Sequence, residues 1–431
     1  MDFSVNPDHE AISDTVRALM RGFPDAYWLE KDEKHEYPVA FFDAFAQAGL
    51  LGIAIPEALG GSGLGIAEAG LVLREVCESG AGLNGASAVH LSMFGINPVV
   101  KHGSAAMRAK YVPKVVSGEL NICFGVTEPD AGTDTTRITT RAVRQGDSYI
   151  INGRKTWLTK AAQCQKVLLL TRTTPLEECA RRTDGMTLFL ADMTPSAVTI
   201  KPIRKLGRHA VASNDVFFDN LEVSVDDRVG EEGRGFYHLL DGLNPERILV
   251  AFEAIGVGRA ALSRAVAYAS DRKVFGRMIG QNQGIQLPLA DSHTRLAAAE
   301  VMAQKAAWLY DNGHPCGTEA NTAKFLAGEA GFQAADRAVQ THGGYGYAAE
   351  FHVERLFREA RLMRIAPISE NLILAQIAEH VLGLPRSYSR SCRHRNRSAT
   401  RSSSRTGAMS GGSRSTVTMC ATPSMTTSST N

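Results

Sequence analysis

The sequence predicts an α+β protein in three successive blocks: helical, then β, then helical again. Three observations carry that reading. Apolar residues recur at helical spacing up to Glu119, β-branched alternating segments occupy Asn121 to Val229, and helical periodicity returns after Glu232. The expected boundaries are 1–120, 121–230 and 231–385, with a tail of different composition at 386–431. With 431 residues, 44% of them hydrophobic and 21% charged, the chain can bury a large core in two or three domains.

In the first block, Ile12, Val16, Leu19 and Met20 form one helical stripe, and Phe41, Phe42, Phe45 and Leu50 another. The run Leu59-Gly60-Gly61-Ser62-Gly63-Leu64-Gly65 follows no strand, so it reads as a loop between helices rather than a phosphate cradle. In the middle block the strand candidates are Tyr149–Ile151, Val167–Thr171, Met186–Leu190, Val198–Ile203, Val216–Phe218 and Leu221–Val223. In the third, Leu249–Ala267 sets Leu249, Phe252, Ile255 and Val257 among Ala and Gly residues, as close helix packing requires. Further helices are expected near Gly284–Asp311, Thr318–Thr341 and Glu370–Leu384.

Composition excludes several classes. No apolar run approaches the ~20 residues that a membrane span needs, and the acidic start resembles neither a signal nor a transit peptide. The seven cysteines are scattered without a CxxC pair, which argues against a disulfide framework or a zinc cluster and for reduced thiols in the cytoplasm. Arg386–Asn431 carries eight Arg and no Asp, Glu or Lys, so the formal charge of +2 conceals an acidic body. That body is a poor nucleic-acid surface. The tail, rich in Ser, Thr, Arg and Gly, is too apolar-poor to offset its ordering entropy and is expected to be disordered.

Five motifs then agree in order and spacing. They are Ile55-Pro56-Glu57 before Gly60-Gly61; Phe124-Gly125-Val126-Thr127-Glu128-Pro129-Asp130-Ala131-Gly132-Thr133-Asp134; Asn152-Gly153-Arg154-Lys155-Thr156-Trp157-Leu158-Thr159; Asp271-Arg272-Lys273-Val274-Phe275-Gly276; and Gln340-Thr341-His342-Gly343-Gly344-Tyr345-Gly346. Together with the block order, they resemble the acyl-CoA dehydrogenase flavoprotein family over about Ile12–Leu384. The resemblance implies a sandwich- or barrel-like β domain, a C-terminal four-helix bundle, FAD as cofactor, no metal, and a homodimer or homotetramer.

It also implies site residues. Phe124, Val126, Thr127, Trp157 and Thr159 are expected at the flavin, with Gly132 and Thr133 near its pyrophosphate or the CoA pantetheine. Arg272, Phe275 and Gln283 match a second flavin contact, where a guanidinium pairs with pyrophosphate. Gln340, Gly343 and Gly344 match a stretch that approaches the adenosine half of a flavin held mainly by a neighbouring subunit.

The implied reaction is α,β-dehydrogenation of an acyl-CoA thioester. A carboxylate takes the α-proton while flavin N5 receives the β-hydrogen as hydride. Many relatives carry that carboxylate in a Glu-Gly-Thr-Ser segment near the C-terminus, but the matching stretch here is Ala366-Pro367-Ile368-Ser369. A minority place it at the start of a helix, as isovaleryl and long-chain types do, and the run Leu243-Asn244-Pro245-Glu246-Arg247 matches that arrangement. Asn244 suits an N-cap and Pro245 the first helical position, which leaves Glu246 in the first turn as the expected base.

Arg247 matches a substrate contact, although as a structural residue it could pair with Glu246 or a neighbour. The amide of Ala366 is expected to meet the thioester carbonyl, with its aim disturbed by Pro367. Glu370 competes as base, and a helix-start role behind Ser369 is favoured for it. An electron-transfer flavoprotein is the expected acceptor. The alternatives are an oxidase on the same fold and a catalytically impaired flavoprotein that binds DNA through its tail.

Overall fold

The structure of the protein, a computed structural model, describes residues 6–386, and the expected disordered tail otherwise lies outside them. Seven helices come first: α1 (Pro7–Met20), α2 (Asp25–Lys34), α3 (Val39–Gln47), α4 (Ile66–Val76), α5 (Gly82–Met93), α6 (Asn97–His102) and α7 (Ala105–Val116). Asn6 caps α1 through a bond from the Asp8 amide at 3.0 Å, with Pro7 at the first position. The glycine-rich loop precedes α4. Its amides at Ser62, Gly63 and Leu64 donate to Gly52, Ile55 and Ile53 carbonyls, so they are consumed internally, as a connecting loop requires.

The middle block is a sheet of eight strands: β1 (Ile122–Gly125), β2 (Arg141–Gln145), β3 (Ser148–Thr159), β4 (Lys166–Arg172), β5 (Met186–Asp192), β6 (Val198–Pro202), β7 (Ser213–Ser224) and β8 (Arg228–Val229). Its path runs β6-β7-β3-β2-β4-β5-β8, and β1 pairs in parallel with β4. Side chains alternate between two cores. Leu168, Leu170, Leu188 and Leu190 pack with Tyr111, Val112 and Val115 of α7, whereas Val167, Leu169 and Phe189 join Tyr149, Ile151, Val216 and Phe218. A sheet covered on both faces in this way reads as continuous apolar runs in β4 and β5. The two segments expected near 216 and 222 form the single strand β7, which continues through Asn220 in a left-handed conformation opposite a register shift.

Helices then resume as α8 (Gly235–Leu240), α9 (Leu243–Asp271), a small hairpin β9 (Lys273–Val274) and β10 (Arg277–Met278), α10 (Gln283–Asp311), α11 (Gly317–His342), α12 (Val353–Ala360) and α13 (Glu370–His380). One continuous apolar core joins α9–α12 to α1–α5. Glycines set the spacing where α9 is gripped from two sides. A Cβ on Gly256 would lie 2.4 Å from the Arg74 carbonyl of α4, and one on Gly258 would lie 2.8 Å from the Gly331 Cα of α11. Asp311, at the end of α10, accepts from the Ile66 and Ala67 amides at 2.8 and 3.0 Å and so closes the N-terminus of α4. The last helix stops at His380, four residues short of the expected end.

Candidate active site

The loop after β1 is fixed from beneath by a buried acid. Glu128 accepts from the Thr139 amide at 2.7 Å and the Thr140 amide at 2.9 Å, and pairs with Lys155 Nζ at 2.9 Å. Lys155, wholly buried, also donates to the Val126 carbonyl at 2.9 Å, and the Thr156 amide donates to the Thr127 carbonyl at 2.9 Å. Burial works to raise the Glu128 pKa, but the Lys155 charge and the threonine donors outweigh it and hold the carboxyl down at about 2. The loop bearing Val126 and Thr127 is thereby stitched to the strand bearing Trp157 and Thr159.

Trp157 stands where that strand bulges. Between Lys155 and Leu158 the register against β7 shifts, and Trp157 takes φ +65°, a conformation costly for a bulky residue. The indole is consequently expelled from the sheet and 56% exposed, although its neighbours Lys155 and Leu158 are buried. Lys160 follows, buried, and donates to the Ala88 carbonyl at 3.1 Å and to Ser92 Oγ at 2.8 Å, both on α5. Phe124 reaches the same helix end, its ring 3.0 Å from where a Cβ on Gly95 would lie.

Helix α5 also meets the candidate base. Its start is braced by Arg355, buried on α12, which donates to the Gly80 carbonyl at 2.5 Å and to Glu359 at 3.1 Å. Glu359 in turn accepts from the Leu83 amide. Two turns on, His90 lies between two carboxylates of α9, with Nε2 at 2.9 Å from Glu246 Oε2 and Nδ1 at 2.6 Å from Glu253 Oε1. The Glu246 side chain remains 24% exposed, while that of Glu253 is buried. Glu246 is in the first turn of α9, as expected, but the cap differs. Gly242 holds the N-cap position, and Asn244 lies inside the helix, accepting from Arg247 Nη1 at 3.0 Å.

Arg247 is therefore tied to Asn244 rather than to Glu246, and its Nε is a buried donor without a partner among the described residues. Across from it, Lys324 of α11 donates to the Ile368 carbonyl at 2.8 Å and fastens the 366–369 segment. Burial, only partly opposed by Glu370, lowers the Lys324 pKa to about 8. Ala366 departs from expectation. Its amide donates to the Leu362 carbonyl at 3.0 Å, closing the turn that ends the 361–364 segment, so the donor assigned to a thioester is already engaged. Glu370 begins α13 behind the capping Ser369 and is paired by Arg364 Nε at 2.8 and 2.9 Å, in the helix-start place favoured for it.

The remaining expected residues form a second group. Arg272 ends α9, its guanidinium 5.6 Å from the ring centre of Tyr345, so the hairpin and the 343–347 turn adjoin. Phe275 occupies the hairpin tip and is fully exposed; Gln283, Gln340, Gly343 and Gly344 are exposed as well. Gly132 and Thr133 are exposed in the loop beyond Glu128.

Descriptions of the acyl-CoA dehydrogenase N-terminal, middle and C-terminal domains match residues 6–119, 123–221 and 233–382. Acyl-CoA dehydrogenase FadE12 of Mycobacterium tuberculosis is 37% identical over 394 residues, covering 90% of this chain and 99% of that protein. The chain belongs to the acyl-CoA dehydrogenase family. It is likewise similar to the caffeyl-CoA reductase-Etf complex subunit CarC of Acetobacterium woodii, 35% identical over 360 residues, 81% of this chain and 93% of that one. The solved structure of butyryl-CoA dehydrogenase from Megasphaera elsdenii matches with a TM-score of 0.84 at 28% identity, over 89% of this chain and 100% of the other.

This acyl-CoA dehydrogenase is thus an FAD-dependent oxidoreductase acting on a CH–CH group. Its residues fit a flavin: an exposed, backbone-strained indole supplies a flat apolar wall, and the Thr127 and Thr159 hydroxyls beside it have no partner among the described residues. The residues that sequence reasoning missed are His90, Glu253 and Lys160. One signal was present for them. Glu253 interrupts an otherwise apolar run on α9, two turns beyond Glu246 on the same face, and an acid buried there demands a cationic partner.

Proposed function

We propose that Glu246 is the base of this dehydrogenase, taking the proton from C2 of an acyl-CoA thioester. The observation that carries the reading is the half-open carboxylate at the head of α9. Its Oε2 is occupied by His90, its Oε1 is unengaged, and the helix beneath is the one that Lys160 and Phe124 tie to the flavin segment. When bound, the flavin supplies the acceptor for the hydrogen that leaves C3. Oε1 collects the proton, while His90 fixes the other oxygen and keeps the group from swinging away. The orphaned Nε of Arg247 offers a donor to the thioester end of the substrate, and Thr133 an exposed hydroxyl to its pantetheine. With the Ala366 amide committed to Leu362, carbonyl polarisation is not assigned to it.

Arg272, Phe275, Gln283, Gln340, Gly343 and Gly344 would serve the flavin of a second copy of the chain, which suits their exposure at one end of the helical bundle. An electron-transfer flavoprotein is the proposed acceptor, supported by the Etf complex named for the CarC relative. The five described cysteines are free thiols, which suits a cytoplasmic setting. Among the described residues, no helix is long and apolar enough to cross a membrane.

Anaerobic titration with a panel of acyl-CoAs, followed by flavin bleaching, tests the base. Glu246→Gln should remain folded and yellow and bleach roughly 10³-fold more slowly, within the range for loss of a general base. Bleaching at the parent rate would remove Glu246 from the mechanism.

A further inference from the structure

The His90 environment goes further than a single hydrogen bond. Carboxylates are acceptors only, and one lies within hydrogen-bonding distance of each ring nitrogen, 2.9 Å on the Nε2 side and 2.6 Å on the Nδ1 side. With both carboxyl groups ionised, both nitrogens donate, which is the pattern of the doubly protonated ring. The ring is buried, so its charge is balanced locally or not at all.

Other charged groups approach from behind. The half-buried Arg208, in the segment between β6 and β7, is near enough to Glu253 to be felt by it, and is itself held by Ser87 Oγ of α5 at 3.1 Å and Ser213 Oγ at 2.7 Å. Cys77, after α4, faces Glu253 too, and burial pushes its thiol well up, so it stays neutral. Arg208, Glu253, His90 and Glu246 thus follow one another, with alternating charge when the ring is doubly protonated. His90 and Glu253 are buried, whereas the Glu246 side chain is 24% exposed.

We propose that His90 is a positioning residue for the base, clamped by Glu253 so that its Nε2–H always points at Glu246 Oε2 and leaves Oε1 free for the substrate. Burial disfavours the charged ring, but Glu246 and Glu253 together outweigh it and raise the His90 pKa well above that of a free histidine. The ring therefore holds its second proton more tightly than a free histidine does. Without the Glu253 charge the ring deprotonates at lower pH. The neutral ring keeps its one N–H on Nε2, toward the charged Glu246, so the bond to Oε2 persists but loses its charge assistance and holds the carboxylate less firmly. The device rests on the reading of Glu246 as base.

The test uses the flavin-loaded full chain. Glu253→Gln keeps an acceptor for Nδ1 but removes its charge. Its kcat should fall about 10-fold or more between pH 7 and 9, where the parent is flat, with KM within about 2-fold. The histidine-selective 15N spectrum should show the His90 ring losing a proton over that interval in the variant and keeping both in the parent. His90→Gln keeps a neutral donor to Glu246 and should show lowered kcat with no such pH step. If its solitary buried Glu253 unfolds that variant, the double variant His90→Gln with Glu253→Gln takes its place. A parent-like pH profile in Glu253→Gln, or a singly protonated His90 in the parent at pH 7, overturns the proposal. Should Glu246→Gln turn over normally, the base reading fails first. A dead Glu246→Gln beside a flat Glu253→Gln profile removes the His90 inference alone.

Discussion

Two regions are matched to flavin contacts, and they are built in opposite ways. The segment from Phe124 to Thr159 is braced from beneath: Glu128 and Lys155 are buried, and each spends its hydrogen bonds on the loop it supports. Arg272, Phe275, Gln283, Gln340, Gly343 and Gly344 are all exposed, with one aromatic at full exposure and one guanidinium resting on a surface tyrosine. The first region is preorganised by its own chain. The second has the composition of a surface that acquires its partners from outside, because a hairpin tip of Phe and Gly stabilises nothing within this chain.

The largest effect separating them should come from beneath the first region. Lys155→Met leaves Glu128 as an unpaired buried charge, and breaking such a pair by removing one partner costs about 3–5 kcal/mol. Thermal unfolding should register a loss of that order, accompanied by release of flavin as the 126–134 loop detaches from β3. A loss below about 1 kcal/mol would mean that the loop is held by other contacts. Acid sharpens the same point. Glu128 has its folded pKa depressed to about 2, so its contribution is fully present above the unfolded value near 4.5 and disappears as pH falls through about 2. The gap in melting temperature between the parent and Glu128→Gln should narrow progressively over that window. A gap that stays constant would show that Glu128 is not ionised in the folded protein.

The contrast also explains what could be read from the sequence. Helical blocks and most strands were legible because apolar periodicity and turn residues are local signals, the motif at 152–159 through the family resemblance, and the place of Glu246 in a first helical turn through the short run that contains it. Its N-cap was not. Asn244 has the right chemistry for that position, yet the chain enters the helix two residues earlier and uses the side chain to hold Arg247. The destination of the Ala366 amide depends on how the preceding turn winds, which no residue type announces. His90 was hidden for a different reason. A histidine on an apolar helix has no distinctive pattern, and its partners lie 156 and 163 residues away in sequence. What local sequence withholds here is pairing at long range.

The smallest effect on the isolated chain, and the one that isolates the second region, belongs to Phe275. A fully exposed ring on a two-residue turn contributes little to folding, and Phe275→Ala should change the denaturant stability of the dissociated chain by less than about 0.5 kcal/mol. Assembly and flavin retention should respond differently. If a second copy supplies the wall that covers this ring, removing it deletes a large apolar contact from the interface, so sedimentation should show a shift toward the single chain and gel filtration a lower flavin-to-protein ratio. Lys155→Met loses flavin by unsettling its own chain, whereas Phe275→Ala would lose it with the chain intact. Unchanged assembly and unchanged flavin content in Phe275→Ala would confine the cofactor to the first region and leave the hairpin without a role in holding it.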